Sequence, residues 1–553
     1  MNYLRKIGRF VFSDKYLLLV LCLGILFNGF VHWEELKNRY AVYPDVAFLY
    51  GGLQNIADED SYFGLGLKEF YLEHRTQNRF IFFGYLCTYG LKWLIGLLLK
   101  FFNIRQIAFF LVVFLHLISV VLFFKIGELL RDKKAALLLS GILICYSLSM
   151  DSFSAALNRV VGFPLLAFFL YYFLKENYKA CFPLLFFSLI LYPYVFILLC
   201  VTLLLEVLVD RDKVKWLLIS RKFLLLAGGF ILGGVLLGKW FMIAQNHLAG
   251  NNIQLNYKYY LKLTEVWSAH PAKNFLFHIL LNIQEHTDAY KYITFYLISA
   301  NFVFLVLLKE KAFDFNKKLW IFIGGTTLSF FIVLIFFDVL YASRMLLFSV
   351  PLFLAISFSL NLVKISMKFG FKFSNLRLML SLMPFMLFLI AFFKAPLTDL
   401  KELSPVFDYL RTLPKSTLVA GHPLILDFIP LYSERNILLY ANMEEKVLVA
   451  KQFKIAKKIR DIEEELFTAL YADSLKEISA LVDKYGITHL VIEPFYYSDK
   501  YLNSVEATKL KEIVARNNPG KRFAVLEFAR KQNLLKQERV FLVSGRKLKN
   551  YNG

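Results

Sequence analysis

Apolar runs of roughly 16–24 residues recur from Tyr16 to Phe393, and this repetition restricts the chain more than any other feature. A helix of that length crosses a hydrocarbon core of about 30 Å. Leu and Phe dominate the runs, and few charges interrupt them. Overall 58% of residues are hydrophobic, above the half that is usual in soluble proteins. The first run is followed by Trp33-Glu34-Glu35, without a small-residue cleavage site, and further runs succeed it. It therefore reads as a retained span and not as a signal peptide. The expected fold is a polytopic α-helical membrane protein.

Net charge is +22. In a soluble chain this would point to nucleic acid. Here the basic residues sit in short clusters between apolar runs, which is the pattern of loops held at the cytoplasmic face beside anionic lipid. Nucleic acid is therefore not an expected partner. The clusters are Arg5/Lys6/Arg9, Arg131/Lys133/Lys134, Lys175/Lys179, Arg211/Lys213/Lys215/Arg221/Lys222, Lys309/Lys311/Lys317/Lys318 and Lys364/Lys368/Lys372/Arg377. If all lie inside, neighbouring pairs must be separated by an even number of crossings. The parity is met by spans at 16–33, 107–127, 135–150, 160–174, two within 182–208, 223–243, 291–308, 319–340, 345–363 and 378–393. That makes about eleven transmembrane helices, with the N-terminus inside and the C-terminal region outside. Residues 80–102 are apolar but would break the parity, so they read as an interfacial or re-entrant helix within the first outer loop. Two outer loops are large, 34–106 and 244–290. The five cysteines show no metal-ligand spacing and read as packing residues.

From Ala395 charges return every few positions and the apolar runs shorten. Residues 1–394 thus form the expected transmembrane domain and 395–553 an extracytoplasmic α/β domain. Residues 400–413, 444–470 and 472–485 have helical spacing, and Gly486 is placed to end the last of these. Residues 416–420, 487–493 and 540–543 read as short strands. Gly421-His422-Pro423 follows the first strand. The domain carries no Gly-rich phosphate loop, nucleophile elbow or zinc spacing.

Charged residues at the outer ends of spans are expensive unless solvated, paired or functional. Asp45 follows Pro44 shortly after the first span. Its carboxylate would sit at the positive end of a helix, either as a cap or as a general base that orients an acceptor. Asp58-Glu59-Asp60 reads as a solvated turn or as a group that gathers a divalent cation beside a phosphate. Asp151 lies in a short outer turn shared with Arg159. The two form an ion pair or face a polar cavity. Arg344, alone in another short outer turn, either snorkels to headgroups or offers its planar fork to phosphate oxygens. His270, His278 and His286 recur at eight-residue intervals without metal-ligand spacing.

The layout resembles the GT-C superfamily of membrane glycosyltransferases, which includes protein O-mannosyltransferases, aminoarabinose transferases and oligosaccharyltransferases. Pro44-Asp45-Val46-Ala47-Phe48-Leu49-Tyr50 with Asn55-Ile56-Ala57-Asp58 is similar to the family's first-loop motif. Gly127 through Leu137 resembles its cytoplasmic turn, Asn158-Arg159-Val160-Val161 a recurring Arg ahead of an apolar helix, and Tyr192-Pro193-Tyr194 a short outer turn. Ser343-Arg344 resembles an Arg after a late span, and Asp483 through Val491 a stretch of bacterial members. Many members carry two adjacent acids where Asp45 is followed by Val46, which leaves metal use open.

The resemblance implies a transferase in a membrane, expected to be a bacterial plasma membrane, working at its outer face. It implies a sugar donor on polyprenyl phosphate or diphosphate and a lipid, glycan or protein acceptor. Asp45 and Asp151 would be the catalytic acids, Arg159 and Arg344 would hold the donor phosphate, and Asp58, Asp60 and Tyr192 would contact substrate. A divalent cation is an optional cofactor. Two other readings stay open: a transporter or flippase of lipid-linked sugars, or a non-catalytic envelope assembly protein. The first would need charged or broken helices near the bilayer midplane. Polar residues such as His116 occur in the spans, yet the acids and arginines collect at the ends.

Overall fold

The computed structural model of the 553-residue chain describes residues 14–31, 104–148, 158–209, 288–308, 315–336, 349–368, 398–439, 453–504, 508–535 and 539–550, together with Lys37, Ala41, Val42, Leu97, Leu98, Phe101, Phe102 and Leu346. The expected spans at 223–243 and 378–393, and most of segment 80–102, lie outside these residues.

The apolar runs form helices α1 (Lys15–Val31), α2 (Ile104–Leu130), α3 (Lys133–Leu148), α4 (Gly162–Leu174), α5 (Tyr178–Leu191), α6 (Pro193–Val209), α7 (Asp288–Leu308), α8 (Lys317–Phe336) and α9 (Ser349–Lys368). Among the described residues, Phe109–Leu130 and Ser349–Lys368 are long and apolar enough to cross a membrane. Lys15–Phe30, Gly162–Leu174, Tyr178–Leu191, Tyr194–Val209 and Thr294–Leu308 are shorter apolar helices. Two short turns do what the sequence demands. Asn177 caps α5, its side chain accepting from the Ala180 amide, and Glu176 before it takes a left-handed conformation at φ 56°. Pro193 opens α6, where its missing N–H costs nothing.

The helices carry their large apolar side chains outward as well as inward. Phe114, Phe187, Leu204, Phe295, Phe302 and Val306 are all exposed. Meanwhile Asn28, His116, Thr202, Glu206, Lys318 and Asn361 are buried. A water-facing surface rarely carries so large an apolar area; a bilayer accepts it, and polar groups then turn inward as interhelical bonds. Asn28 Nδ2 meets His116 Nδ1 at 2.6 Å between α1 and α2. Asn301 on α7 donates to the Leu354 carbonyl of α9 at 3.2 Å and accepts from Ser357 Oγ at 2.7 Å.

Small residues set the closest approaches. A Cβ added at Gly127 would lie 2.5 Å from Ala136 Cα and 2.8 Å from its amide nitrogen. The α2–α3 hairpin is therefore packed backbone to backbone, and neither wall is a movable side chain. Gly127→Val is expected to destabilise the bundle by at least the ~1–3 kcal/mol typical of overpacking. The loss should appear as a lower thermal midpoint of the detergent-solubilised protein.

The remaining residues build a sheet of four strands, β3 (Leu418–Gly421), β4 (Asn436–Ile437), β5 (His489–Ile492) and β6 (Phe541–Ser544), in the order β4-β3-β5-β6. β3 runs parallel to both β4 and β5, and β6 is antiparallel to β5. Helices α10 (Ser404–Thr412), α11 (Phe453–Leu470), α12 (Leu475–Tyr485), α13 (Thr508–Asn517) and α14 (Ala524–Gln532) accompany it. Gly486, at φ 66°, closes α12 in the left-handed region that a side chain resists. A two-residue ladder joins β1 (Ala41–Val42) to β2 (Thr398–Asp399), antiparallel, with Val42 opposite Thr398.

Candidate functional site

One end of the helical bundle is basic, and named contacts define it. Lys133 at the start of α3 pairs with Asp14 ahead of α1 at 2.7 Å. Arg131 touches Met367 Sδ at 3.3 Å near the end of α9, and Lys368 donates to the Leu307 carbonyl at the end of α7 at 2.9 Å. Lys318 at the start of α8 pairs with Glu206 near the end of α6 and lies 3.7 Å from Glu176 in the α4–α5 turn. Lys364 of α9 sits over the Phe315 ring. Among the described residues, these contacts join the Lys- or Arg-bearing ends of α2, α3, α8 and α9 to the neighbouring ends of α1, α6 and α7 on one face.

The opposite ends of these helices flank the residues singled out in the sequence. Asp151 follows the end of α3 at Leu148. Arg159 falls in the 3-10 turn Asn158–Val161 that leads into α4. Arg344 lies between the end of α8 and the start of α9. Asp45 comes three residues after Val42, whose strand is paired with the entry to the sheet-bearing region. Asp45, Asp58, Asp60, Asp151 and Arg344, and the side chain of Arg159, lie outside the described residues. Buried Val160 and Val161, and Phe163 against Phe123 at 4.9 Å, anchor the backbone that carries Arg159.

Tyr192 is described. It sits in the turn between α5 and α6, buried, with its ring 5.7 Å from that of Tyr194. Its amide donates to the Ser188 carbonyl at 2.8 Å, and its own carbonyl accepts from the Val195 amide at 3.0 Å. The turn is thus pinned on both sides, as Pro193 requires.

Two polar clusters bring together residues whose partners sequence order does not disclose. In the first, Tyr178 Oη donates to Glu206 Oε1 at 2.9 Å and accepts from Lys318 Nζ at 2.5 Å, while Lys318 also pairs with Glu206 directly. This node ties α5, α6 and α8 together at the basic end. A signal existed: Glu206 is a carboxylate inside an apolar run, and such an acid needs a partner.

The second is His422. The strand order places the topological switch point between β3 and β5, since the chain leaves β3 for β4 on one side and returns to β5 on the other. Ligands of open α/β sheets bind beyond the carboxyl ends of such a pair. Here that position is filled by protein. His422, next after β3, stacks on Tyr496 with ring centroids 4.0 Å apart, and its Nε2 meets Tyr501 Oη at 2.9 Å. Burial holds the imidazole pKa down at about 3, so the ring is neutral. Glu493, just past β5, is pushed above the usual carboxylate range by burial and by Glu402. Among the described residues no group of three His, Cys, Asp or Glu side chains is placed to hold a metal ion.

No family model and no curated protein matches the chain. Among solved structures, the apo oligosaccharyltransferase of Archaeoglobus fulgidus is similar at 11% identity, with 88% of this chain and 71% of that one covered and a TM-score of 0.49. The oligosaccharyltransferase AglB from the same organism, in complex with an inhibitory peptide and a dolichol-phosphate, is similar at 10% identity, covering 89% and 71%, with a TM-score of 0.48. The Archaeoglobus enzyme tethered to an acceptor peptide gives 11% identity, 90% and 72% coverage, and a TM-score of 0.40.

Proposed function

We propose that the chain is an integral membrane glycosyltransferase of GT-C type. It would take a sugar from a polyprenyl phosphate or diphosphate and pass it to an acceptor at the face opposite the basic end. The observation that carries this reading is the convergence of helix ends. The segments bearing Asp151, Arg159, Tyr192 and Arg344 all issue from the end of the bundle remote from the lysines. Residues 1–394 form the membrane domain and 395–553 an extracytoplasmic domain, and the β1–β2 ladder ties the first outer loop to the start of the latter. The basic face is then the cytoplasmic one.

The roles follow from charge. Arg159 and Arg344 would neutralise the phosphate that leaves with the lipid, since guanidinium forks match phosphate oxygens. Asp45 would accept the acceptor's proton or orient its nucleophile, with Asp151 as a second acid. Tyr192, Asp58 and Asp60 would contact substrate. If a divalent cation takes part, Asp58 and Asp60 are the residues offered to it, and it would stabilise negative charge on the donor.

The test is sugar transfer by purified protein from a labelled mixture of polyprenyl-phosphate sugars, wild type beside Asp45→Asn. Transfer by wild type that falls at least a hundredfold in the variant is the expected result, on the scale of a lost general base. Equal transfer by both would move the acid to Asp151 or Asp58. Absence of transfer from any donor offered would weigh against the enzyme and towards a transporter or assembly role.

A further inference from the structure

Among the described residues, the β1–β2 ladder is the joint between the first outer loop and the sheet-bearing region: Ala41 lies opposite Asp399 and Val42 opposite Thr398. We propose that Thr398 and Asp399 are positioning residues for transfer, and that through them the sheet-bearing region sets where the Asp45 carboxylate stands. The inference rests on Asp45 being the acid of the proposed transferase, while the joint itself does not depend on that reading.

Three observations carry this. First, reach decides which anchor holds Asp45. It follows Val42 by three residues, so the two Cα atoms lie within about 11 Å of each other. α1 ends at Val31, ten residues before Ala41. Such a stretch of chain spans up to about 35 Å, so the end of α1 leaves the carboxylate a wide arc and the ladder a narrow one. Second, the far side of the joint is built into the sheet-bearing region. Asp399 Oδ1 accepts from the Lys401 amide at 3.0 Å, and the Leu403 amide donates to the Leu400 carbonyl at 2.9 Å. Leu400 and Leu403 are buried, and α10 continues at once with Val406, Phe407 and Leu410 in the core. Glu402, between the leucines, pairs with Arg539 ahead of β6. That pair is exposed and contributes little, so the leucines carry the anchorage. Third, the ladder has only two residue pairs. Strands that short add little stability, so the joint governs position and can be opened without unfolding what it joins. Position is what a general base needs. It works only within hydrogen-bond reach of the proton it takes, and a misplacement of about 1 Å can cost about a hundredfold in rate.

The test uses the full chain with its five cysteines replaced by alanine. Val42→Cys with Thr398→Cys should then cross-link on mild oxidation, since opposite residues of an antiparallel pair come within disulfide range. Spin labels at Val46→Cys and Lys500→Cys, read by double electron–electron resonance, report where the segment bearing Asp45 stands relative to the sheet-bearing region. One narrow distance is expected. Thr398→Pro with Asp399→Pro removes both amide donors of β2, and the narrow peak should be lost. In sugar transfer the same double variant should lower kcat about tenfold or more, with KM for the donor and the thermal midpoint near those of wild type. A narrow peak that survives the prolines would overturn the proposal, as would a double-cysteine variant that does not cross-link. A fall in kcat that only tracks a lowered thermal midpoint would make the joint structural and would also overturn it. If the wild type transfers no sugar, the transferase reading fails by itself, and the distance peak still decides whether the ladder places Asp45.

Discussion

Lys318→Met should destabilise the bundle more than any other single substitution at the basic end, by about 3–5 kcal/mol. The reason is the carboxylate it abandons. Glu206 is 1% exposed, and Lys318 is the cation that faces it. Tyr178 Oη would remain at 2.9 Å, but a single neutral hydroxyl does not balance a buried charge. The pair itself is expected to contribute little net stability, because desolvation of both ions offsets their attraction. Lys318→Met combined with Glu206→Leu should therefore recover most of what Lys318→Met loses. Tyr178→Phe should cost only about 1 kcal/mol, the scale of one neutral hydrogen bond. Equilibrium unfolding in mixed micelles of the two single variants and the double variant would close the cycle. If Lys318→Met alone matches wild type, water must reach Glu206, and the node is not sealed from solvent.

The node also shows what the sequence could and could not disclose. The helices were legible because a long Leu/Phe run has few other options. The basic residues at their ends were legible because charge marks where a run must stop. The partnership of Glu206 with Lys318 was not, since 112 residues separate them and only packing of α6 on α8 brings them together. The same holds for Asn28 and His116, 88 residues apart. In the sheet-bearing region the expected strands at 416–420, 487–493 and 540–543 occur at 418–421, 489–492 and 541–544. Each is a short apolar run bounded by a breaker. β4, with only Asn436 and Ile437, has no periodicity to read and exists through its register with β3. Helices α13 and α14 were also missed, because their amphipathic stripes are interleaved with Lys and Arg. Of the proposed site, Tyr192 is the only residue whose side chain is described, and its turn was legible through Pro193. For the others sequence position and the flanking helix ends are the available guides.

Acidification from pH 6.5 towards pH 4.5 should loosen the carboxyl ends of β3 and β5 before the rest of the sheet. His422 has its pKa depressed to about 3 by burial, against an ordinary value of 6.5. Between those values the unfolded chain binds a proton there that the folded chain refuses. Stability therefore rises with pH across that window and is lost as pH falls, by at most about 1.4 kcal/mol per pH unit for one proton. His489, lowered by burial to a smaller degree, acts with the same sign. Glu493 acts with the opposite sign, because its raised pKa lets the folded state hold a proton that the unfolded state has released. It opposes the loss between its ordinary value of 4.5 and its raised one, and above that interval the histidines set the slope. Hydrogen exchange of the full-length protein, followed on peptides covering 418–421 and 489–492, reads this directly. After correction for intrinsic exchange, opening should increase by up to tenfold per pH unit below 6.5. His422→Phe keeps a ring to stack on Tyr496 and has no proton to gain, so its slope should shrink to what His489 and Glu493 together leave. An unchanged slope in His422→Phe would mean that the ring is hydrated and that the plug at the switch point is open to water. The stacking of His422 on Tyr496 would then be one arrangement of a crevice that a ligand can enter.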